Sequence, residues 1–291
     1  MDIINRAGPD SVALETTLLV HGVPRGQGER LARELSEIVR RAGAAPAFVG
    51  VFGGWPTVGL DFNELNEMFL AEDVPKANSA NLGVMIHRRQ HAATTVSTTM
   101  ELSAAAGVRV FATGGIGGVH RGYGQRWDVS ADLAAFTRFP VAVVTSGVKS
   151  LLDVESTREA LETLGVPVLG FKTDKFPAFY LRESAARVDA VFDDETELAR
   201  FVGSELARTG RGVVVANPIP AQDEVKAKDW EGWLAEATKK AGDAGGRDVT
   251  PRVLAALHEV SGGATLRANL ALIRENARLA AVMASQMSTP G

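Results

Sequence analysis

The sequence predicts an α/β fold: one α/β/α sandwich with a mainly parallel central sheet and extra C-terminal helices, spanning residues 1–291 as a single domain. Three observations carry this. Short apolar, β-branched runs recur through the first 216 residues, amphipathic helical patterns lie between them, and after Pro220 only helical patterns remain.

The strand candidates in order are Val12–Leu19, Ala47–Phe52, Leu82–Ile86, Val108–Ala112, Val141–Thr145, Val166–Leu169, Ala190–Phe192 and Val213–Ala216. Several are apolar throughout, as strands covered on both faces must be. The helix candidates begin with Gly28–Ala42, which carries Leu31, Leu35 and Val39 at a spacing of four. Thr95–Ala106 reads as a buried helix of small residues. Ser130–Arg138 opens on a hydroxyl suited to capping. Ser156–Leu164 and Glu195–Thr209 follow. The helical third comprises Ala227–Ala241, Thr250–Ser261 and Leu266–Ser288, with Gly242–Arg247 as a loop; Thr250-Pro251 places a hydroxyl before a proline, a helix-start signal.

Composition excludes several classes. The chain has 45% hydrophobic and 23% charged residues and a formal net charge of −4. Nothing global attracts a nucleic-acid polymer or an anionic membrane. There are no cysteines, hence no disulfide framework, thiolate zinc site or cysteine nucleophile. The start, Met-Asp-Ile-Ile-Asn-Arg, lacks a signal pattern and no apolar run reaches membrane length, so a cytoplasmic location is expected.

Chemistry concentrates at strand ends. Thr113-Gly-Gly-Ile-Gly-Gly-Val-His120 follows an apolar run, and its four glycines let backbone N–H groups approach a ligand closely or simply form a tight turn. The spacing matches neither a dinucleotide fingerprint nor a P-loop. His120 closes that segment as a substrate contact or a structural residue. In Trp127-Asp-Val-Ser-Ala-Asp132, Ser130 and Asp132 can cap a helix, whereas Asp128 precedes it and can meet a divalent cation that needs few protein ligands.

Lys149, in Thr145-Ser-Gly-Val-Lys-Ser150, lies just beyond a buried strand. Either it occupies a surface turn or burial favours its neutral amine, the nucleophile of Schiff-base chemistry. Glu15 interrupts an apolar strand. Facing outward it is unremarkable; facing inward it would hold a proton that a general acid can deliver. Lys76, Arg88, Arg89 and Arg121 are the candidate cations for a phosphate.

Val12–Thr17, Ala93–Val96, Phe111–Gly122, Asp128–Leu133, Ser146–Ser150 and Val215–Pro220 together resemble the pseudouridine-5′-phosphate glycosidase family. The resemblance implies a trimeric α/β/α enzyme using Mn²⁺ and acting on ribose 5-phosphate joined to an aromatic or nucleobase aglycone. It implies Lys149 as Schiff-base nucleophile, Glu15 as proton donor and Asp128 as metal ligand. It implies substrate contacts at Lys76, Val96, Thr113, Ser130, Ala131 and Asp132, with His120 and Asn269 near the base. The sequence departs from the family after Lys76, where Ala-Asn-Ser-Ala-Asn81 replaces a run carrying arginines and an aspartate. That departure, with Trp55 and His87 as possible contacts, favours the branch of C-glycosynthases that join ribose 5-phosphate to an aromatic polyketide in alnumycin-type antibiotic biosynthesis. Breakdown of pseudouridine 5′-phosphate to uracil and ribose 5-phosphate is the alternative.

Overall fold

The structure is a computed structural model that describes residues 2–124, 127–241 and 249–288. Its centre is an eleven-stranded sheet. Nine strands form one path, in the order Ile4–Asn5, Trp55–Val58, Ala45–Phe52, Ser11–Glu15, Val110–Ala112, Ala142–Thr145, Val213–Ala216, Val168–Phe171 and Ala190–Phe192. Every neighbouring pair on this path is parallel except Ala45–Phe52 with Trp55–Val58. Ala92–Thr94 and Lys76–Ala77 branch from Ala45–Phe52.

Alternation along the strands divides the core into two layers. Val12, Leu14, Val144 and Val215 join one apolar cluster with the helices Gly28–Arg41, Glu195–Thr209 and Ala264–Ser288. Ala13, Phe111, Val143 and Val214 join another with Val96–Ala105, Ala131–Phe136 and Val154–Thr163. Helices therefore cover both faces, which is why these strands read as continuous apolar runs. Among the described residues, no helix is long and apolar enough to cross a membrane.

Two strand expectations are corrected. The run Val12–Leu19 is a strand only to Glu15, and the chain then turns into the helix Thr16–His21. The Thr16 hydroxyl donates to the Val49 carbonyl at 2.8 Å and accepts from the Thr94 amide at 3.0 Å, so it holds the neighbouring strands where the chain leaves the sheet. Leu82–Ile86 is not a strand but part of the helix Leu82–His87. Leu82 and Met85 are buried one turn apart while Val84 is 43% exposed, a helical pattern that five apolar letters do not reveal. The helices Glu195–Thr209 and Ala227–Ala241 have the expected bounds. Val249–Val260 begins one residue before Thr250, and Gly242–Arg247 lies outside the described residues.

Candidate active site

Two loops at the carboxyl ends of adjacent strands build the site. Thr113–His120 follows Val110–Ala112, and Ser146–Ser150 follows Ala142–Thr145. They are zipped together by backbone bonds: Ser146 N–H to Gly114 O at 3.0 Å, Ile116 N–H to Gly147 O at 3.0 Å, and Lys149 N–H to Ile116 O at 3.1 Å. A Cβ on Gly115 would lie 3.3 Å from Lys149 Cγ and 2.6 Å from the Phe179 ring, so the glycine makes room for both. The Lys149 loop is held from its other side by the segment Phe176–Leu181. Phe179 N–H donates to Ser146 O at 2.8 Å, and Ser150 Oγ donates to Ala178 O at 2.7 Å.

The glycine loop rests on a buried polar network. Asn276, from the last helix, donates through Nδ2 to Thr113 O at 2.8 Å and to Ser146 Oγ at 3.1 Å, and its Oδ1 accepts from Asn217 Nδ2 at 3.0 Å. Asp132 fastens the other end: its carboxylate accepts from Ser97 N–H at 2.9 Å and Gly117 N–H at 2.8 Å. Ser130 caps the helix Ala131–Phe136 by accepting from Asp132 N–H at 3.2 Å. Ser130 and Asp132 thus hold the loop in shape, and Ala131 is the first residue of the helix they start.

Above these loops lies a cavity of about 310 Å³. Lys149, Glu15, Lys76, Thr113 and Asn269 all line it. Glu15 is 7% exposed and takes a hydrogen bond from the Thr113 hydroxyl. Burial pushes its pKa up. Lys149, the Thr113 hydroxyl and Lys76 oppose that shift, and the Asp132 carboxylate reinforces it. The net upward direction favours a carboxyl that retains its proton beside an amine.

The remaining expected residues lie elsewhere. Val96 is fully buried in the core and does not line this cavity. His120 pairs with Leu152 in a small antiparallel ribbon, and its Nδ1 lies 3.8 Å from the half-exposed Asp128 carboxylate. Among the described residues, no three His, Asp or Glu side chains gather to hold a metal ion. Asp128 does not line this cavity; its half-exposed carboxylate is a hard oxygen donor of the kind Mn²⁺ takes. Arg88, Arg89 and Arg121 are exposed and absent from the cavity wall, leaving Lys76 as the phosphate candidate that lines it.

Trp55, 57% exposed, and the exposed His87 line no part of the cavity either. The departure after Lys76 closes on itself. Asn78 Oδ1 accepts from Ala80 N–H at 2.9 Å, Asn81 Oδ1 accepts from Asn78 N–H at 2.7 Å, and Asn81 Nδ2 donates to Lys76 O at 3.0 Å. None of its five residues lines the cavity.

Sequence reasoning missed the aromatic wall, Phe179 and Tyr180, and two histidines, His21 and His258. Phe179 sits at φ 63°, and no local motif announces a bulky residue there. His21 hydrogen-bonds Val74 O at 2.8 Å; burial, aided by the charge of Lys76, lowers its pKa. An alternation of polar letters in the last helix could have flagged Asn269 and Asn276, seven residues and about two turns apart on one face.

The family model described as "Indigoidine synthase A like protein" matches residues 4–286. The pseudouridine-5′-phosphate glycosidase of Nocardioides sp. is 45% identical over 285 residues, 97% of this chain and 92% of that protein. The same-named protein of Geobacillus kaustophilus is 43% identical over 281 residues, 95% of this chain and 93% of its own length. Among solved structures, an indigoidine synthase A-like protein from Thermotoga maritima superposes with a TM-score of 0.89 at 37% identity, covering 97% of this chain and 95% of that one. The prealnumycin C-glycosynthase in complex with ribulose 5-phosphate gives a TM-score of 0.87 at 35% identity, covering 96% and 91%.

Proposed function

The chain belongs to the indigoidine synthase A-like family, and from that premise we propose that it makes and breaks the carbon–carbon glycosidic bond of pseudouridine 5′-phosphate. The observation that carries the reading is the shared wall of Lys149 and Glu15, a primary amine beside a buried carboxyl of raised pKa.

A C-glycoside has no leaving-group oxygen, so the two-carboxylate route of ordinary glycoside hydrolysis does not serve. Here the Lys149 amine forms a bond to C1 of the ribose while Glu15 gives its proton to the ring oxygen, and the sugar opens. The C1–uracil bond then breaks. The nitrogen lone pair becomes the C=N bond of an imine, and the bond's electron pair leaves with uracil, which takes up a proton. Water adds to the imine carbon, and the Lys149 amine and ribose 5-phosphate are released. One hard step becomes several easier ones, each reversible. Lys76 brings positive charge to the cavity wall, where the phosphate needs it. Asp128 would hold a divalent cation, which supplies counter-charge for an anionic substrate.

Uracil leads as the aglycone, ahead of the polyketide expected above, because whole-chain relatives at 43–45% identity carry the glycosidase name. The features that favoured the polyketide, Trp55, His87 and the run after Lys76, all lie off the cavity. Polyketide C-glycosylation stands as a second reading, supported by the aromatic Phe179–Tyr180 wall and by the likeness to the prealnumycin enzyme.

The test is direct. With pseudouridine 5′-phosphate and Mn²⁺ the protein releases uracil, and borohydride with ribose 5-phosphate adds mass that Lys149→Ala abolishes. A trapped adduct without uracil release transfers the assignment to another aglycone. No adduct at all removes Lys149 from the chemistry.

A further inference from the structure

We infer that His258 is a specificity-determining residue whose Nε2 accepts a hydrogen bond from an N–H group of the aglycone; the inference rests on the C-glycosidic reading above. His258 comes from the helix Val249–Val260 and lines the same cavity as Lys149 and Glu15, yet no step of the chemistry uses it.

Its orientation is set by a short hydroxyl chain. Nδ1 lies 2.8 Å from Thr265 Oγ1, and Thr265 Oγ1 lies 3.0 Å from Ser261 Oγ. Ser261 Oγ in turn accepts from Thr265 N–H at 3.2 Å and donates to the His258 carbonyl at 3.4 Å. One proton arrangement satisfies all four contacts: Nδ1–H donates to Thr265, Thr265 donates to Ser261, and Ser261 donates to the carbonyl. That arrangement leaves a lone pair on Nε2. Among the described residues, Nε2 has no hydrogen-bond partner of its own.

Burial lowers the His258 pKa, which keeps the ring neutral and the lone pair available. The surrounding wall is largely apolar, with Leu18 and Phe179 among its residues. In such surroundings an unpaired acceptor discriminates, and Nε2 does so alongside the buried Asn269 Oδ1: a ligand N–H that meets it gains a bond, and a ligand lacking one leaves it unpaired. Uracil carries two N–H donors once it is joined through carbon, so the base fits this requirement.

The experiment couples uracil, 1-methyluracil and 3-methyluracil to ribose 5-phosphate with wild type, His258→Leu and His258→Gln. Borohydride trapping of the ribose 5-phosphate adduct serves as a control on fold and on Lys149. In His258→Leu the KM for uracil rises about tenfold while trapping is unchanged. His258→Gln, which keeps an acceptor, recovers most of that loss. One of the two methylated bases is penalised in wild type and no longer penalised relative to uracil in His258→Leu. An unchanged KM in His258→Leu, a methyl penalty that persists there, or a wild type that traps the sugar yet neither binds nor couples uracil overturns the assignment. Should His258→Leu lose trapping, Thr265→Val, which removes the hydroxyl that fixes the tautomer, decides by the same readouts. A wild type that fails to trap ribose 5-phosphate overturns the Lys149 chemistry and the His258 assignment with it.

Discussion

Thr113 donates its hydroxyl proton to the Glu15 carboxyl from the end of the neighbouring parallel strand. The register that pairs Leu14 with Ala112 brings the next residue of each strand together at the mouth of the cavity. The bond favours the ionised carboxylate, against the burial that disfavours it. The Thr113 bond thus acts with Lys149, against burial, on how long Glu15 keeps its proton as pH rises.

Thr113→Val is expected to raise the Glu15 pKa further, because it removes a stabiliser of the charged form. The alkaline limb of the kcat profile then moves to higher pH. Glu15→Gln loses the proton donor, lowers kcat by roughly 10²–10⁴-fold and leaves residual activity without that limb. A limb that survives in Glu15→Gln assigns it to another group.

The same carboxyl gives stability a pH dependence. Its folded-state pKa is raised, so the native state binds more protons than the unfolded chain in the window between the two values. The contribution of Glu15 is fully present below the ordinary carboxyl pKa and is lost as pH rises through the raised one. Glu15→Gln does not titrate, so its stability relative to wild type should climb across that window in denaturant titrations. A constant difference from acid to alkaline pH would falsify the raised pKa.

Asp132 holds the glycine loop through two backbone amides. Asp132→Ala leaves the amides of Ser97 and Gly117 without their buried acceptor. The expected loss of stability is roughly 2–4 kcal/mol. Asp132→Asn, which keeps one carbonyl oxygen, should lose less. Urea midpoints for the two variants check the order.

Gly147 shapes the Lys149 loop by its backbone. Its φ is +82°, and an added Cβ would lie 1.8 Å from the Pro177 carbonyl oxygen. Backbone cannot rotate away as a side chain can. Gly147→Ala is therefore expected to cost about 2 kcal/mol or more and to reduce adduct trapping by displacing Lys149. Wild-type trapping with wild-type stability would show that the loop has another way to close.

Much of the fold is legible because it depends on local letters. Apolar runs such as Val213–Ala216 mark strands covered on both faces, and the spacing in Gly28–Arg41 marks a one-sided helix. The runs that misled are those where a tertiary bond overrides propensity. Thr16 reads as strand but turns into a helix because its hydroxyl is engaged by neighbouring strands.

By itself the sequence determined which chemistry is available: an amine and a carboxyl at strand ends beside a glycine loop, Lys149, Glu15 and Thr113–His120. Only the tertiary structure decided which side chains share a cavity. It brought Lys76, Asn269 and His258 to the same wall, put Val96 in the core, and left Trp55, Arg88 and Arg89 outside. The physical reason is that strand position and helix start follow from neighbours in the chain. The walls of a cavity depend instead on contacts between residues as far apart as Glu15 and Asn269, which no periodicity encodes.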